Sequence, residues 1–196
     1  MQNLDRRQAV SQLLQARGDL LVVAGLGSPA YDLAATSNQP IDFPTWGAMG
    51  GALMMGLGLA LAQPERLVLV LTGDGEMLMG LGSLSTVASQ QPKNLRLVIL
   101  DNEEYGETGH QATHTSNTTD LAAVARACGI EKSVIITNEN ELASLRSDIH
   151  TYDGPLVAVL KVSKAEVPRV LPPIDGPFLT QRIRTALLGE EDALRA

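Results

Sequence analysis

The stretch that decides the fold is LVLVLTGDGEMLMGLGSLSTVAS, residues 67–89. It begins with an apolar run that predicts a buried strand, passes through Gly73, Asp74 and Gly75, and then changes to a pattern that predicts one amphipathic helix over about 76–89. A strand that delivers a glycine turn to the start of a helix makes an anion site, because free backbone amides and the positive helix end both face the ligand. We therefore expect an anion such as a phosphate to bind at this turn.

Asp74 is unexpected in such a turn, because a carboxylate beside a phosphate repels it unless a cation lies between them. A phosphate bridged by a metal ion removes the conflict. The alternative is a tight turn in which Asp74 only caps the helix that follows. The Gly-Asp-Gly turn by itself leaves both interpretations open.

The next apolar run, LRLVIL at 95–100, also ends in polar residues, DNEE at 101–104. Neighbouring parallel strands present their carboxyl ends along the same edge of a sheet, so Asp74 and Asn102 are predicted to face one ion. A hard octahedral cation would take the Asp74 carboxylate, the Asn102 amide oxygen and a main-chain carbonyl near Glu104, together with phosphate oxygens and water. This donor set predicts a Mg²⁺ site.

Similar apolar runs recur along the chain and are separated by stretches of helical character. The five runs are at 20–24, 67–72, 95–100, 133–137 and 155–162. Strands that alternate with helices predict an α/β fold with a mostly parallel sheet. Because the runs are continuous rather than alternating, both faces of the sheet are expected to be covered, which gives a three-layer sandwich.

The chain is predicted to be one domain over residues 1–196, with a core at about 20–165 and a C-terminal strap and helix at 166–196. The first helix is predicted from about Leu4 to Arg17. Another is predicted to open at Asn138, which resembles an N-cap, and to run toward His150.

Composition excludes several classes of protein. Aromatic residues are 3% of the chain and the net charge is −7, so a nucleic-acid partner is not expected. The sequence contains neither an apolar leader nor a run of about 18 apolar residues, so we expect no membrane span and a cytoplasmic location. The single cysteine, Cys128, lies in an apolar run and is predicted to be buried.

The combination of Gly-Asp-Gly with an Asp-Asn pair one strand–helix–strand unit later resembles the signature of thiamine-diphosphate-dependent enzymes. The resemblance implies a thiamine-diphosphate-binding fold, with thiamine diphosphate and Mg²⁺ as cofactors. It also implies three metal ligands and three backbone amides that hold the diphosphate. The ligands would be Asp74, Asn102 and the Glu104 carbonyl, and the amides would be those of Gly73, Gly75 and Glu76.

A second similarity lies in FPTWGAMGGALMMGLGLALA, residues 43–62. In the 2-oxoacid decarboxylase branch of the family a Gly-x-Met-Gly segment lies under the cofactor. Gly47 would then offer its carbonyl to the aminopyrimidine, and Met49 would hold the cofactor in its bent conformation. The alternative is that the glycines let a buried helix pack closely and Met49 belongs to the core. Ser28 matches a position where the family places a hydroxyl near the diphosphate.

The segment GETGHQATHT, residues 106–115, follows the predicted metal motif. The family carries proton-transfer or substrate-contacting groups here, which makes Glu107, His110 and His114 candidate catalytic residues. For each histidine, a solvated loop position is the alternative.

The family's catalytic glutamate comes from a pyrimidine-binding domain, and we expect that domain on a separate subunit, with self-association of this chain as well. The size of the chain and its DNEEYGETG segment look most like sulfopyruvate decarboxylase beta subunits and the C-terminal halves of phosphonopyruvate decarboxylases. This resemblance implies a carboxy-lyase that acts on a small 2-oxoacid. Tyr31 and Asp32 replace an expected Arg-Glu pair, so the head group of the substrate stays open. The alternatives are a cofactor-binding subunit of another thiamine-diphosphate enzyme, such as a 2-oxoacid oxidoreductase, and a non-catalytic subunit.

Overall fold

A parallel sheet of six strands lies at the centre of the computed structural model, which describes residues 3–195. The strands are β1 (Leu21–Ala24), β2 (Asp42–Pro44), β3 (Val68–Gly73), β4 (Leu95–Asp101), β5 (Glu104–Tyr105), β6 (Gln111–Ala112), β7 (Lys132–Ile136) and β8 (Leu156–Lys161). The sheet has the order β2-β1-β3-β4-β8-β7, and all its neighbouring strands are parallel. β5 and β6 form a separate antiparallel ribbon.

The five strands predicted from apolar runs are all present, with ends that differ by one residue at most. Three short strands were not predicted. β2 has only three residues and lies at the edge of the sheet, and each strand of the β5–β6 ribbon has two. Runs this short have too few residues to show a strand pattern.

Helices cover both faces of the sheet. They are α1 (Arg6–Leu13), α2 (Ser28–Thr36), α3 (Ala52–Ala62), α4 (Asp74–Met79), α5 (Ser83–Gln90), α6 (Leu121–Ala127), α7 (Glu139–Thr151), α8 (Gly176–Leu188) and α9 (Glu190–Ala193). One apolar cluster joins α1, α2 and α7 to one face, and a second joins α3, α4, α5 and α6 to the other. Successive strand residues enter opposite clusters, such as Val98 and Ile99 of β4, which explains the continuous apolar runs. The predicted three-layer α/β fold is confirmed.

Several predicted helix ends need correction. The single helix predicted over 76–89 is wrong, because α4 ends at Met79 and α5 begins at Ser83. The break lies where Gly80 packs against the backbone of Gly50, so tightly that a Cβ on either residue would collide with the other. The first helix is shorter than predicted and occupies only Arg6–Leu13.

Other local predictions have mixed outcomes. The N-cap of α7 is confirmed, because the Asn138 side chain accepts a hydrogen bond from the backbone N–H of Glu141. Cys128 is only half-buried, at the end of α6, and not a fully buried core residue. In the part of the chain that the structure describes, no helix is both long and apolar enough to cross a bilayer.

The strand order places a crevice between β1 and β3. From β1 the chain moves outward to β2, and it then returns to β3 and continues to β4 on the other side of β1. In open parallel sheets, ligands bind at the carboxyl ends of the strands where the order reverses in this way. The loops that follow β1, β3 and β4 therefore mark the expected ligand site.

Candidate functional site

A cleft of about 370 Å³ opens at the carboxyl ends of these strands, and we call it the main cleft. Most of the residues predicted from the sequence line it, although they come from distant parts of the chain. They are Ser28, Met49, Gly73, Asp74, Gly75, Glu76, Asn102, Glu104 and Glu107. Gly47, His110 and His114 do not line it.

Asp74 is the first residue of α4 and is almost fully buried, with 1% of its surface exposed. Its Oδ2 accepts hydrogen bonds from the hydroxyls of Thr113, at 2.5 Å, and Thr115, at 3.1 Å. Burial raises the pKa of the Asp74 carboxyl from its usual 3.8 to about 6, although the Thr113 hydrogen bond opposes the shift. A buried carboxylate of this kind is stabilised when a cation binds beside it.

The loop after β4 brings the other two predicted metal ligands together. The Asn102 side-chain oxygen accepts a hydrogen bond from the Glu104 N–H at 3.2 Å, and Glu103 between them has a left-handed backbone with φ of 63°. Lys161 holds this loop by binding Asp101 at 2.7 Å and Glu103 at 3.0 Å. Asn102 and Glu104 thus belong to one tight turn.

The donor atoms in this region suit a hard cation. They are a carboxylate, an amide oxygen and a main-chain carbonyl, which are oxygen donors of the kind that Mg²⁺ takes. Residues 3–195 contain no cluster of three His, Cys, Asp or Glu side chains that could hold a metal by itself. A metal at Asp74 and Asn102 would therefore need further oxygen ligands from a bound anion or water.

Two helices begin at the main cleft, one after each strand that borders the crevice. α2 begins at Ser28, directly after Gly27, whose φ of +78° is in the region that favours glycine. α4 begins directly after Gly73, where an added Cβ would meet no atom within 4 Å. At Gly75, a Cβ would lie 2.5 Å from the Tyr105 ring, so this ring packs directly on the backbone. Two helix N-termini at one cleft favour an anionic ligand.

The side chain of Glu76 has a structural position that the sequence did not indicate. Its carboxylate is buried and accepts hydrogen bonds from the Thr72 hydroxyl at 2.9 Å and the Ala52 N–H at 3.3 Å. A Cβ at Gly25 would collide with it. Burial raises the pKa of the Glu76 carboxyl. The side chain therefore joins the loop after β1, the end of β3 and the start of α3, three segments that border the main cleft.

Met49 and Met79 form the apolar part of the main cleft. Both line it and both are exposed, at 37% and 59% respectively. Met49 is therefore not a core residue, which argues against the alternative that it serves only to fill the core. Gly47 is exposed in the same loop and lies outside the cleft lining.

The three candidate proton-transfer residues are in different environments. Glu107 lines the main cleft, accepts a hydrogen bond from the Tyr31 hydroxyl at 3.3 Å and lies 3.7 Å from Arg169. His110 is beside the cleft, with its ring nitrogens 3.1 Å from Glu104 and 3.2 Å from Glu166. His114 is exposed and lines no pocket in the region described, so the structure does not bring it to the cleft.

A second cavity of about 410 Å³, the side pocket, adjoins the main cleft. The two share Arg6, Ser28, Asn102, Gly106 and Glu107. The outer wall of the side pocket is residues 164–169, which belong to the strap between β8 and α8.

Thr113, Thr115 and Arg6 are the site residues that sequence reasoning missed. The two threonines are tens of residues from Asp74 in the chain, and Arg6 is in the first helix. The alternating threonines of the segment THT, residues 113–115, and the paired charges of DRR, residues 5–7, are the only local signals for these residues. Neither pattern indicates by itself which residues it will contact.

Comparison with known proteins shows the family to which the chain belongs. A family model described as thiamine pyrophosphate enzyme, C-terminal TPP binding domain, matches residues 27–160. Sulfopyruvate decarboxylase subunit beta from Methanothermobacter thermautotrophicus is 40% identical over 167 residues, which cover 84% of this chain and 86% of that protein. Phosphonopyruvate decarboxylase from Streptomyces viridochromogenes is 39% identical over 144 residues, 74% of this chain and 36% of that protein.

Among solved structures, the benzoylformate decarboxylase of Polynucleobacter necessarius matches with a TM-score of 0.74 and 22% identity. The match covers 84% of this chain and 34% of that one, so the chain spans about a third of the solved structure. At this identity the likeness shows the fold alone.

Proposed function

This chain belongs to the thiamine pyrophosphate enzyme family, as a C-terminal TPP binding domain, and on that premise we propose that it is the cofactor-binding subunit of a two-subunit decarboxylase. Its substrate would be a small 2-oxoacid similar to sulfopyruvate or phosphonopyruvate. The observation that carries the proposal is the position of Asp74 and Asn102 at the ends of the adjacent strands β3 and β4, in a cleft where two helices begin. The names of the relatives support the choice of reaction.

In this proposal Asp74, Asn102 and the Glu104 carbonyl would hold Mg²⁺, whose positive charge would offset the negative charge of the diphosphate. The amides of Gly73, Gly75 and Glu76 and the Ser28 hydroxyl hold the diphosphate itself. The open space at Gly73 and the N-terminus of α4 support this assignment. When bound, thiamine diphosphate supplies a thiazolium ring that accepts the electrons released by decarboxylation.

The remaining residues of the cleft would orient the cofactor and move protons. Met49 would support the bent cofactor, since it is an exposed, flexible side chain on the cleft wall, and Gly47 would offer its carbonyl to the aminopyrimidine. Glu107 and His110 are the candidate groups for proton transfer, and Glu107 is the better placed because it lines the cleft. For His114 the structure offers no support, because the residue is exposed and away from the cleft.

We further propose that a pyrimidine-binding subunit completes the site, and that copies of this chain associate with each other. Three relatives of similar length are named as beta subunits, which implies a second subunit in those enzymes. Exposed Met54, Met55 and Leu61 on α3 leave an apolar surface beside the loop that carries Met49. A cytoplasmic location remains a prediction from the sequence.

The test has two stages. In the first, calorimetric titration of the full chain with thiamine diphosphate is expected to show binding with Mg²⁺ and none with a chelator, and Asp74→Ala is expected to abolish it. Equal affinity with the chelator present would refute the metal site. In the second, the chain is mixed with candidate pyrimidine-binding subunits and 2-oxoacids, and carbon dioxide release is measured.

The second stage also separates the alternatives. Product formation that requires an electron acceptor would identify an oxidoreductase subunit. Cofactor binding without turnover under any pairing would indicate a non-catalytic subunit.

A further inference from the structure

Arg6 is a nearly buried cation on the wall between the main cleft and the side pocket. It is the first residue of α1, lines both cavities and has 9% of its surface exposed. Its Nε atom donates a hydrogen bond to Asp32 Oδ2. Within residues 3–195, the two terminal nitrogens of its guanidinium group make no hydrogen bond to protein atoms. These nitrogens are on the wall of the two cavities, where a bound anion or water can accept their hydrogen bonds.

The charges around Asp32 do not balance. Asp32 is fully buried, and its single carboxylate binds both Arg6 and Arg7. Arg7 has a further acceptor, the Pro168 carbonyl at 2.8 Å, and its side chain is 20% exposed to solvent. The cluster thus carries one positive charge in excess, and of its two arginines only Arg6 lines the main cleft.

An anion in the main cleft would satisfy these donors. A diphosphate ester carries about three negative charges, of which Mg²⁺ cancels about two, and the carboxylate of Asp74 adds one more. The two helix N-termini at Ser28 and Gly73 contribute only partial positive charge. The planar fork of an arginine matches phosphate oxygens in geometry as well as charge.

We propose that Arg6 binds the diphosphate of the cofactor, so that the first helix of the chain contributes a cation to the site. This inference rests on the proposed function, because it takes thiamine diphosphate as the ligand. Arg6 lies in the described part of the chain before residue 27, where the match to the family model begins. The match to the family model therefore does not include Arg6.

The experiment is calorimetric titration of the full chain with thiamine diphosphate and Mg²⁺, repeated with Mg²⁺-pyrophosphate. Arg6→Gln removes the charge and is expected to weaken both ligands at least tenfold. Arg7→Gln is the matched control, because it removes the same charge from the cluster but no donor on the wall of the main cleft, and affinity is expected to stay within twofold of the wild type. Thermal melts establish that each variant is folded.

Two outcomes overturn the inference. If the wild type binds thiamine diphosphate and Arg6→Gln binds it within twofold of the same affinity, Arg6 does not contact the diphosphate, although the proposed function stands. If the wild type binds neither ligand with Mg²⁺ present, the proposed function fails and the role of Arg6 fails with it.

Arg6→Lys decides the question if Arg6→Gln does not fold. Lysine keeps the charge beside Asp32, but it cannot bind that carboxylate and a phosphate with one planar group. We expect diphosphate affinity to fall at least threefold in this variant. Wild-type affinity would contradict the inference.

Discussion

Replacement of Met49 by alanine separates a cofactor role from a packing role, and the structure sets the expected magnitudes. Met49 is 37% exposed on the cleft wall, whereas Met77 of α4 is 2% exposed and belongs to the core. Truncation of a buried methionine lowers the free energy of unfolding by about 2–5 kcal/mol, because a cavity remains. We expect that loss for Met77→Ala, but no more than about 1 kcal/mol for Met49→Ala, because an open cleft has little packing to lose.

Thermal unfolding of the isolated chain measures this difference. In a chain of this length, 1 kcal/mol corresponds to about 2–4 °C in Tm. Met49→Ala is therefore expected to melt within about 4 °C of the wild type, and Met77→Ala about 4–20 °C below it.

We expect Met49→Ala to lower turnover with the partner subunit strongly, although it changes the stability of the fold little. The loss of about 1.4 kcal/mol of orientation in the transition state lowers the rate tenfold, so we expect at least that loss in kcat for Met49→Ala. Met49→Leu keeps the volume and is expected to retain most activity. A large drop in Tm for Met49→Ala, with normal turnover in the folded fraction, would make Met49 an ordinary packing residue and refute the reasoning.

Three further predictions concern the metal and diphosphate sites. Because burial raises the pKa of Asp74 from 3.8 to about 6, the metal-free carboxyl is protonated below that pH, so Mg²⁺-dependent cofactor affinity measured by calorimetry is expected to fall from pH 7 to pH 5. The same raised pKa stabilises the metal-free fold below pH 3.8, and that contribution to stability is lost as the pH rises through about 6. A chain with Asp74→Asn should therefore lack both the pH dependence of cofactor affinity and the pH dependence of stability. Thr115→Val removes the hydroxyl that bridges Asp74 and Asp101 and is expected to lower the unfolding free energy in urea by about 1–3 kcal/mol, whereas Thr118→Val at an exposed position should leave it unchanged. Gly73→Ala is expected to melt like the wild type but to lose cofactor binding, because its added methyl group meets no protein atom and enters the cleft. Normal cofactor binding by this variant would contradict the diphosphate assignment.

The part of the site that could be predicted from the sequence depends on local patterns. The apolar run before Gly73 predicts β3, and the run before Asn102 predicts β4. Because the two strands are parallel neighbours, their carboxyl ends lie at one edge, and both sets of predicted ligands meet there. One short motif after each strand was enough to predict this arrangement.

The parts that failed depend on contacts between distant segments. The helix over 76–89 breaks because Gly80 meets Gly50, and nothing in the local sequence indicates this encounter. His114 shows the converse, because it follows the metal motif closely and yet points to solvent, while the threonine on either side of it is buried against Asp74. Residues 114–116 form a single 3₁₀ turn, in which successive side chains point in different directions, so closeness in sequence does not predict closeness to the site.

Asp32, which departs from the family pattern, shows how contacts in the structure alter the interpretation of a site. The sequence predicts that Tyr31 and Asp32 remove a cation from the substrate pocket, because the family resemblance implies an Arg-Glu pair at these positions. In the structure Asp32 is fully buried and holds Arg6 at the cleft wall, and Tyr31 donates a hydrogen bond to Glu107. A cation is therefore present beside the cleft, but it comes from α1 rather than α2. Because one carboxylate cannot neutralise both Arg6 and Arg7, this arrangement keeps a positive charge available for an anionic ligand.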